Sequence, residues 1–138
     1  MIDRLVLTRR IEEIDKHLAK IEPYAHRSLN DFLGDSVMQD VVEYNLFQIV
    51  NHLIDIFQHI AVDEEYGFPQ TAYEAAHLLL EKGVLDADDL ETFRKMVGFR
   101  NVVGHDYMRI NKKTVYSILT EGRKEIKNLT GKIVKKFL

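Results

Sequence analysis

The stretch "RNVVGHDY", residues 100–107, gathers an arginine, an asparagine, a histidine, an aspartate and a tyrosine into eight positions. These residue types suit phosphoryl chemistry. Arginine carries a permanent charge on a planar fork that matches phosphate oxygens. Histidine, with an ordinary pKa near about 6.5, takes or gives a proton at neutral pH. RNA supplies its own nucleophile, the 2′-hydroxyl beside each phosphate. A histidine base, an arginine clamp and that hydroxyl are enough for strand cleavage without a metal ion. Spacing qualifies this. Asn101 and His105 are four residues apart and share one helix face. Arg100 and His105 are five apart, about 140° around an ideal helix. They converge only if the helix loosens, for which Gly98 and Gly104 give scope, or if its axis lies along a cleft. On spacing alone the plainer reading leads: Arg100 pairs with an acidic neighbour, while His105 and Tyr107 finish a helix.

A second constellation is His52, Asp55 and His59, whose spacings of three and four put them on one helix face. Two imidazoles and a carboxylate can hold a divalent metal. A polar strip at a helix interface is the plainer explanation of them, and no metal or other cofactor is assigned. Asp55 is also a candidate for a supporting position beside the arginine–histidine pair. His17, four residues after Glu13, fits a surface pair, and neither His26 nor His77 has a partner set that argues for chemistry. Phosphate-cradling glycine loops and serine-nucleophile motifs are absent.

The elements that must position these residues read as helices throughout. Ile2, Leu5, Leu7, Ile11, Ile14, Leu18 and Ile21 predict a helix over about 3–22, stopped by Pro23, with a short segment "SLNDFLGD" after it. A long helix runs from about Val37 to Val62. Its apolar arc is wide enough for a bundle core that also meets another subunit. Thr71 with Glu74 matches a capping box, and the third helix ends near Gly83. Asp86, Asp88 and Asp89 open the fourth helix, which carries the motif, and Asn111 caps a fifth. The fold class is all-α, one domain over residues 1–138 with about five helices.

Composition fits that reading, at 46% hydrophobic and 30% charged residues over 138 positions. With no cysteine, a disulfide framework or thiolate metal site is excluded, and a reducing cytoplasm is the expected location. The N-terminus lacks the apolar run of a signal peptide, and no stretch nears the roughly 20 apolar residues of a membrane span. The net charge of −3 hides an asymmetry. Residues 108–138 hold nine Lys/Arg against two Asp/Glu, while the other residues hold ten against twenty. A basic end of this kind either attracts nucleic acid or forms a solvated face balanced by acidic neighbours.

Taken with its setting, the motif resembles the HEPN superfamily in its HepT-like ribonuclease toxin branch, whose signature is Arg-x4-His-x-Tyr. Arg100 through Tyr107 satisfies it in full. "LLLEKGVLDADDLETFRKMVGFRNVVGHDY" resembles the family's helix, glycine turn and motif-bearing helix, "INKKTVYSILTEGRKEIKNL" the helix that follows, and "LIDIFQHIAVDE" the end of its long core helix. Asp55 sits where an acidic residue is often found. The resemblance implies a homodimeric helical bundle in which two Arg/His sets face each other across a cleft. It implies a metal-independent endoribonuclease, the toxin of a type VII-like toxin–antitoxin pair. Its antitoxin would be a minimal nucleotidyltransferase that adds AMP to the motif tyrosine, Tyr107 here. By the same resemblance His105 acts as general base or acid, Arg100 holds the scissile phosphate and Asn101 orients one of them. Gly104 stands where this branch often has a larger residue. The alternative is a non-catalytic helical module that binds a nucleotide or the nucleotidyltransferase itself.

Overall fold

The computed structural model describes residues 1–138, the side chain of Tyr107 excepted. Helix α1 (Arg4–Ile21) starts where the Asp3 carboxylate accepts the Val6 N–H, and buries Leu7, Ile14, Leu18 and Ile21. Pro23 lies in a 3-10 turn (Glu22–His26) that ends the helix's run. The short α2 (Leu29–Leu33) forms from the segment "SLNDFLGD", with Ser28 as its cap. Gln39 donates to the carbonyls of Phe32 and Leu33, so the C-terminal end of this small helix is satisfied from outside.

Helix α3 (Ser36–Asp63) is the axis of the molecule. Val42, Leu46, Ile49, Leu53, Phe57 and Ile60 form one buried stripe along it, with Val50, Ile54 and Ala61 beside them. Residues on more than one flank are buried because helices pack on both sides, as the wide apolar arc predicts. Helix α1 runs antiparallel to α3: Asp3 N–H donates to Asp63 at one end and His17 meets Asn45 towards the other. Helix α4 (Ala72–Glu81) is capped by Thr71 and followed by Gly83, whose φ of 74° makes the tight turn out of the helix. Helix α5 (Ala87–His105) opens with a reciprocal capping box between Asp86 and Asp89. It too is antiparallel to α3. The Phe93 and Phe57 rings lie 4.8 Å apart between centroids, and the α-carbon of Gly104 faces Phe47. Removing either buried ring costs about 3–5 kcal/mol.

A 3-10 turn (Tyr107–Arg109) leads to α6 (Lys112–Ser117), capped by Asn111. The fifth long helix is interrupted: a π turn (Ile118–Gly122) joins α6 to α7 (Arg123–Phe137). There the Thr120 hydroxyl donates back to the Tyr116 carbonyl, and Gly122 lets Ile118 approach so closely that a β-carbon would come within 3.1 Å of it. The five long helices expected from periodicity are thus α1, α3, α4, α5 and the interrupted α6–α7. Among the described residues no helix is long and apolar enough to cross a membrane.

Candidate active site

The motif occupies the last turn and a half of α5 and the turn after it. The helix does not loosen. It continues through His105, the Asp106 N–H still reaches the Val102 carbonyl at 2.8 Å, and neither Gly98 nor Gly104 adopts a positive φ. Arg100 and His105 therefore leave the helix in different directions, about 140° apart. Of the two routes to convergence, the structure keeps only the cleft along the helix axis.

The plainer pairing of Arg100 with an acid is not what forms. Asp106 is held by Arg109 at 3.0 Å, and Glu43 by Lys112. Arg100 is half-buried, and its Nε is buried with no hydrogen-bond partner among the described residues. Asn101 and His105 are exposed, and their side chains bond to no described residue. A guanidinium N–H buried without a partner is costly, and it shares this helix with an exposed imidazole on another side. Tyr107 lies outside the residues whose side chains are described.

The flank of α3 beside the motif holds residues that spacing did not single out. Glu43 is only 2% exposed and takes Lys112, 69 residues away in sequence, through Oε1. Its Oε2 is buried without a partner among the described residues. In sequence Glu43 sits inside an apolar stripe, between Val42 and Leu46. A lone acid in such a stripe was the available signal.

The second constellation is rearranged. His52 and Asp55 do share a face, and both meet Arg10 of α1: Asp55 as an ion pair at 3.4 Å, His52 through Nδ1 at 3.4 Å. His59 points to solvent instead. Its place is taken from α1 by Glu13 and His17, and one ligand atom from each of Glu13, His17 and His52 lies within 4.8 Å of the others. His17 is not the surface partner of Glu13 that its spacing suggests. Its Nδ1 bonds Asn45 Oδ1 at 2.8 Å, while Glu13 pairs with Lys16. Burial, then the Arg10 charge, then His17 push the His52 pKa below its ordinary 6.5. Arg10 keeps a fixed positive charge inside this group, which disfavours a further cation. The arrangement is a hydrogen-bonded helix interface, and Asp55 is engaged there with α1.

The basic C-terminal segment is partly spent on packing. Arg109, Lys112, Arg123 and Lys132 pair with Asp106, Glu43, Glu22 and the Asp86/Asp89 cap respectively. Lys124, Lys127, Lys135 and Lys136 remain exposed along α7.

A family model described as Ribonuclease HepT-like matches residues 14–133. The chain is 27% identical over 114 residues to the mRNA nuclease HepT of Shewanella oneidensis, covering 83% of this chain and 85% of that one. It is 26% identical over 119 residues to the tRNA nuclease HepT of Aphanizomenon flos-aquae, covering 86% and 81%. Among solved structures, it superposes on a tri-AMPylated Shewanella oneidensis HEPN toxin in complex with an MNT antitoxin. That match has a TM-score of 0.87 at 25% identity and covers 99% of this chain and all of the other.

Proposed function

The chain belongs to the Ribonuclease HepT-like family, and from this premise we propose that it is a metal-independent endoribonuclease, the toxin of a toxin–antitoxin pair. The observation that carries the proposal is the pairing of Arg100, whose buried Nε has no partner, with an unengaged His105 on an unbroken helix. Among the described residues, the Arg100 Nε and the His105 ring take no hydrogen-bond partner.

In the proposed reaction, neutral His105 takes the proton of a 2′-hydroxyl. The 2′-oxygen bonds to the adjacent phosphorus, the bond from phosphorus to the 5′-oxygen breaks, and that oxygen accepts a proton from an imidazolium. The products are a 2′,3′-cyclic phosphate and a 5′-hydroxyl. Arg100 donates to the phosphate oxygens as their charge grows, and Asn101, on the same face as His105, orients the imidazole or the phosphate. Because Arg100 and His105 diverge on one helix, a homodimer completes the site: with two motif helices across a cleft, one imidazole serves as base and the other as acid. Exposed lysines on α7 steer RNA inwards, an effect that weakens with salt.

The antitoxin is a minimal nucleotidyltransferase that adds AMP to Tyr107. The tri-AMPylated state of the Shewanella oneidensis relative, caught with its MNT antitoxin, supports this. AMP puts bulk and negative charge where an RNA phosphate must sit, so cleavage stops. The site of action is cytoplasmic. The test is incubation of the purified protein with bulk RNA in EDTA, beside an Arg100→Ala/His105→Ala variant. Cleavage by the wild type alone is expected, and equal cleavage by both, or by neither, rejects the reading. Intact mass after mixing with the nucleotidyltransferase and ATP is expected to rise by whole AMP units, and not in Tyr107→Phe.

A further inference from the structure

Between α5 and the segment 109–114 lies an open groove of about 360 Å³, within the range for ligand sites, about 300–1,000 Å³. Its walls set Lys95, Phe99 and Val102 of α5 against Arg109, Ile110 and Thr114. Spacing ties it to the motif. Lys95, Val102 and His105 are seven and three residues apart, so they share one face of α5. On the facing wall Arg109 pairs with Asp106, the residue after His105, at 3.0 Å. The groove therefore opens beside the exposed imidazole.

Charge defines what the groove can take. Among the described residues its lining has two cations and no carboxylate. Glu91, one turn before Lys95, is taken by Arg94 at 2.8 Å, and Lys95 is exposed with no ion pair to a described residue. The Arg109–Asp106 pair is exposed, and such pairs contribute little, so Arg109 readily exchanges Asp106 for a phosphate. Between the two cations, Phe99, Ile110 and the part-exposed Val102 give an apolar floor for a ribose or a base face. Past Lys95 the sign reverses: the next depression holds Glu121 and Glu125, which repel a phosphate. We propose that this groove carries the RNA strand on one side of the scissile phosphate, with flanking phosphates on Arg109 and Lys95 and a nucleoside on the floor between them. Lys95 and His105 stand about 15 Å apart along the helix, too far to hold one phosphate, so Lys95 meets a neighbouring one. The acids beyond it end the track. Contacts to phosphates and ring faces carry no base preference. The inference rests on the ribonuclease reading above in taking the occupant to be RNA, and adds that cleavage depends on chain length at that flank.

The test has two arms. In the first, the wild type, Lys95→Ala and Thr114→Glu cleave a dinucleotide, which has no flanking phosphate, and a hexanucleotide. Thr114 is exposed in the first turn of α6, where a glutamate suits the helix, so this variant is expected to fold. The wild type is expected to show the lower KM for the hexanucleotide, and both variants to lose most of that advantage, in KM rather than in kcat. In the second arm, a fully 2′-O-methylated hexanucleotide, which has no free 2′-hydroxyl, is titrated by fluorescence anisotropy at several salt concentrations. Lys95→Ala is expected to bind it more weakly and to lower the slope of log affinity against log salt by about 0.7, the share of one phosphate on a single strand. Cleavage without a length advantage, together with unchanged binding by both variants, overturns the groove and leaves the ribonuclease standing. Binding that both variants weaken, in a wild type that cleaves neither RNA, keeps the groove and rejects the ribonuclease. If either variant instead splits a dimer or blocks AMP addition by the nucleotidyltransferase while RNA binding stays, the groove belongs to a protein partner and the inference is rejected.

Discussion

Helix α3 carries polar groups on two flanks, and they differ in how far the fold itself satisfies them. Towards α1, every member of the cluster has a protein partner: Asp55 and His52 share Arg10, His17 bonds Asn45, and the Asn45 amide donates to the Val41 carbonyl. Towards α5 and α6, the Arg100 Nε and the Glu43 Oε2 are buried without partners among the described residues, and His105 stands exposed. Both flanks hold histidines, carboxylates and an arginine, so residue type does not tell them apart. Satisfaction does. The first flank has spent its hydrogen bonds on joining two helices, and the second leaves two buried groups without partners among the described residues.

The sharpest way to break this comparison is to remove one histidine from each flank. His105→Ala is expected to lower RNA cleavage by about 10²–10⁴-fold, the usual contribution of a positioned acid–base group. Its melting temperature should not move, because His105 is exposed and holds nothing. His52→Ala is expected to keep most of the cleavage. Loss of cleavage in His52→Ala with the fold intact would show that the α1 flank takes part in the chemistry.

A second contrast concerns stability. Lys112→Met leaves the Glu43 carboxylate buried with no counter-charge, and is expected to cost about 3 kcal/mol in denaturant unfolding. Lys16→Met, which removes the exposed partner of Glu13, is expected to leave the unfolding curve where it was. Similar losses from both would mean that the Glu43–Lys112 pair does not fasten α6 to α3.

A smaller effect tests the motif helix α5. A β-carbon on Gly98 meets nothing within 4 Å, and one on Gly104 meets only Phe47 at an ordinary 3.8 Å. Gly98→Ala and Gly104→Ala should each stabilise the protein by about 0.5–1 kcal/mol. Cleavage should be unchanged if Arg100 and His105 meet across a cleft. A stabilised but inactive Gly104→Ala would restore the requirement that the helix loosen.

Much of this was legible in the sequence, and what was not has a physical pattern. Caps are local, so Thr71, Asp86 and Asn111 could be read from neighbours three residues on. The motif is local too, within eight positions of one helix. Glu43 was not legible because its partner, Lys112, is 69 residues away and reaches it only once α6 has packed on α3. Spacing placed His52, Asp55 and His59 on one face, but it could not say which of them α1 engages. Arg10 meets His52 and Asp55, while His59 stays exposed although α1 continues to Asp3 beside Asp63. The π turn at Ile118–Gly122 also escaped, since one extra residue in a turn barely disturbs apolar periodicity.

The gentlest probe of the comparison is pH, because burial acts on the His52 imidazole. His52 is held below its ordinary 6.5 chiefly by burial, then by the charge of Arg10 and by His17, with Glu13 and Asp55 pulling the other way. A lowered pKa means that the unfolded chain binds the proton more readily than the fold does. Stability from neutral His52 is therefore complete above about pH 6.5 and is lost as pH falls from there through the folded value. His52→Gln, which cannot take the proton, should show a shallower fall in melting temperature over that acid range. His105→Gln is expected to lose its cleavage activity at every pH. Identical acid slopes for wild type and His52→Gln would mean that the α1 flank does not hold its histidine neutral, and the two flanks would then differ less than their hydrogen bonds suggest.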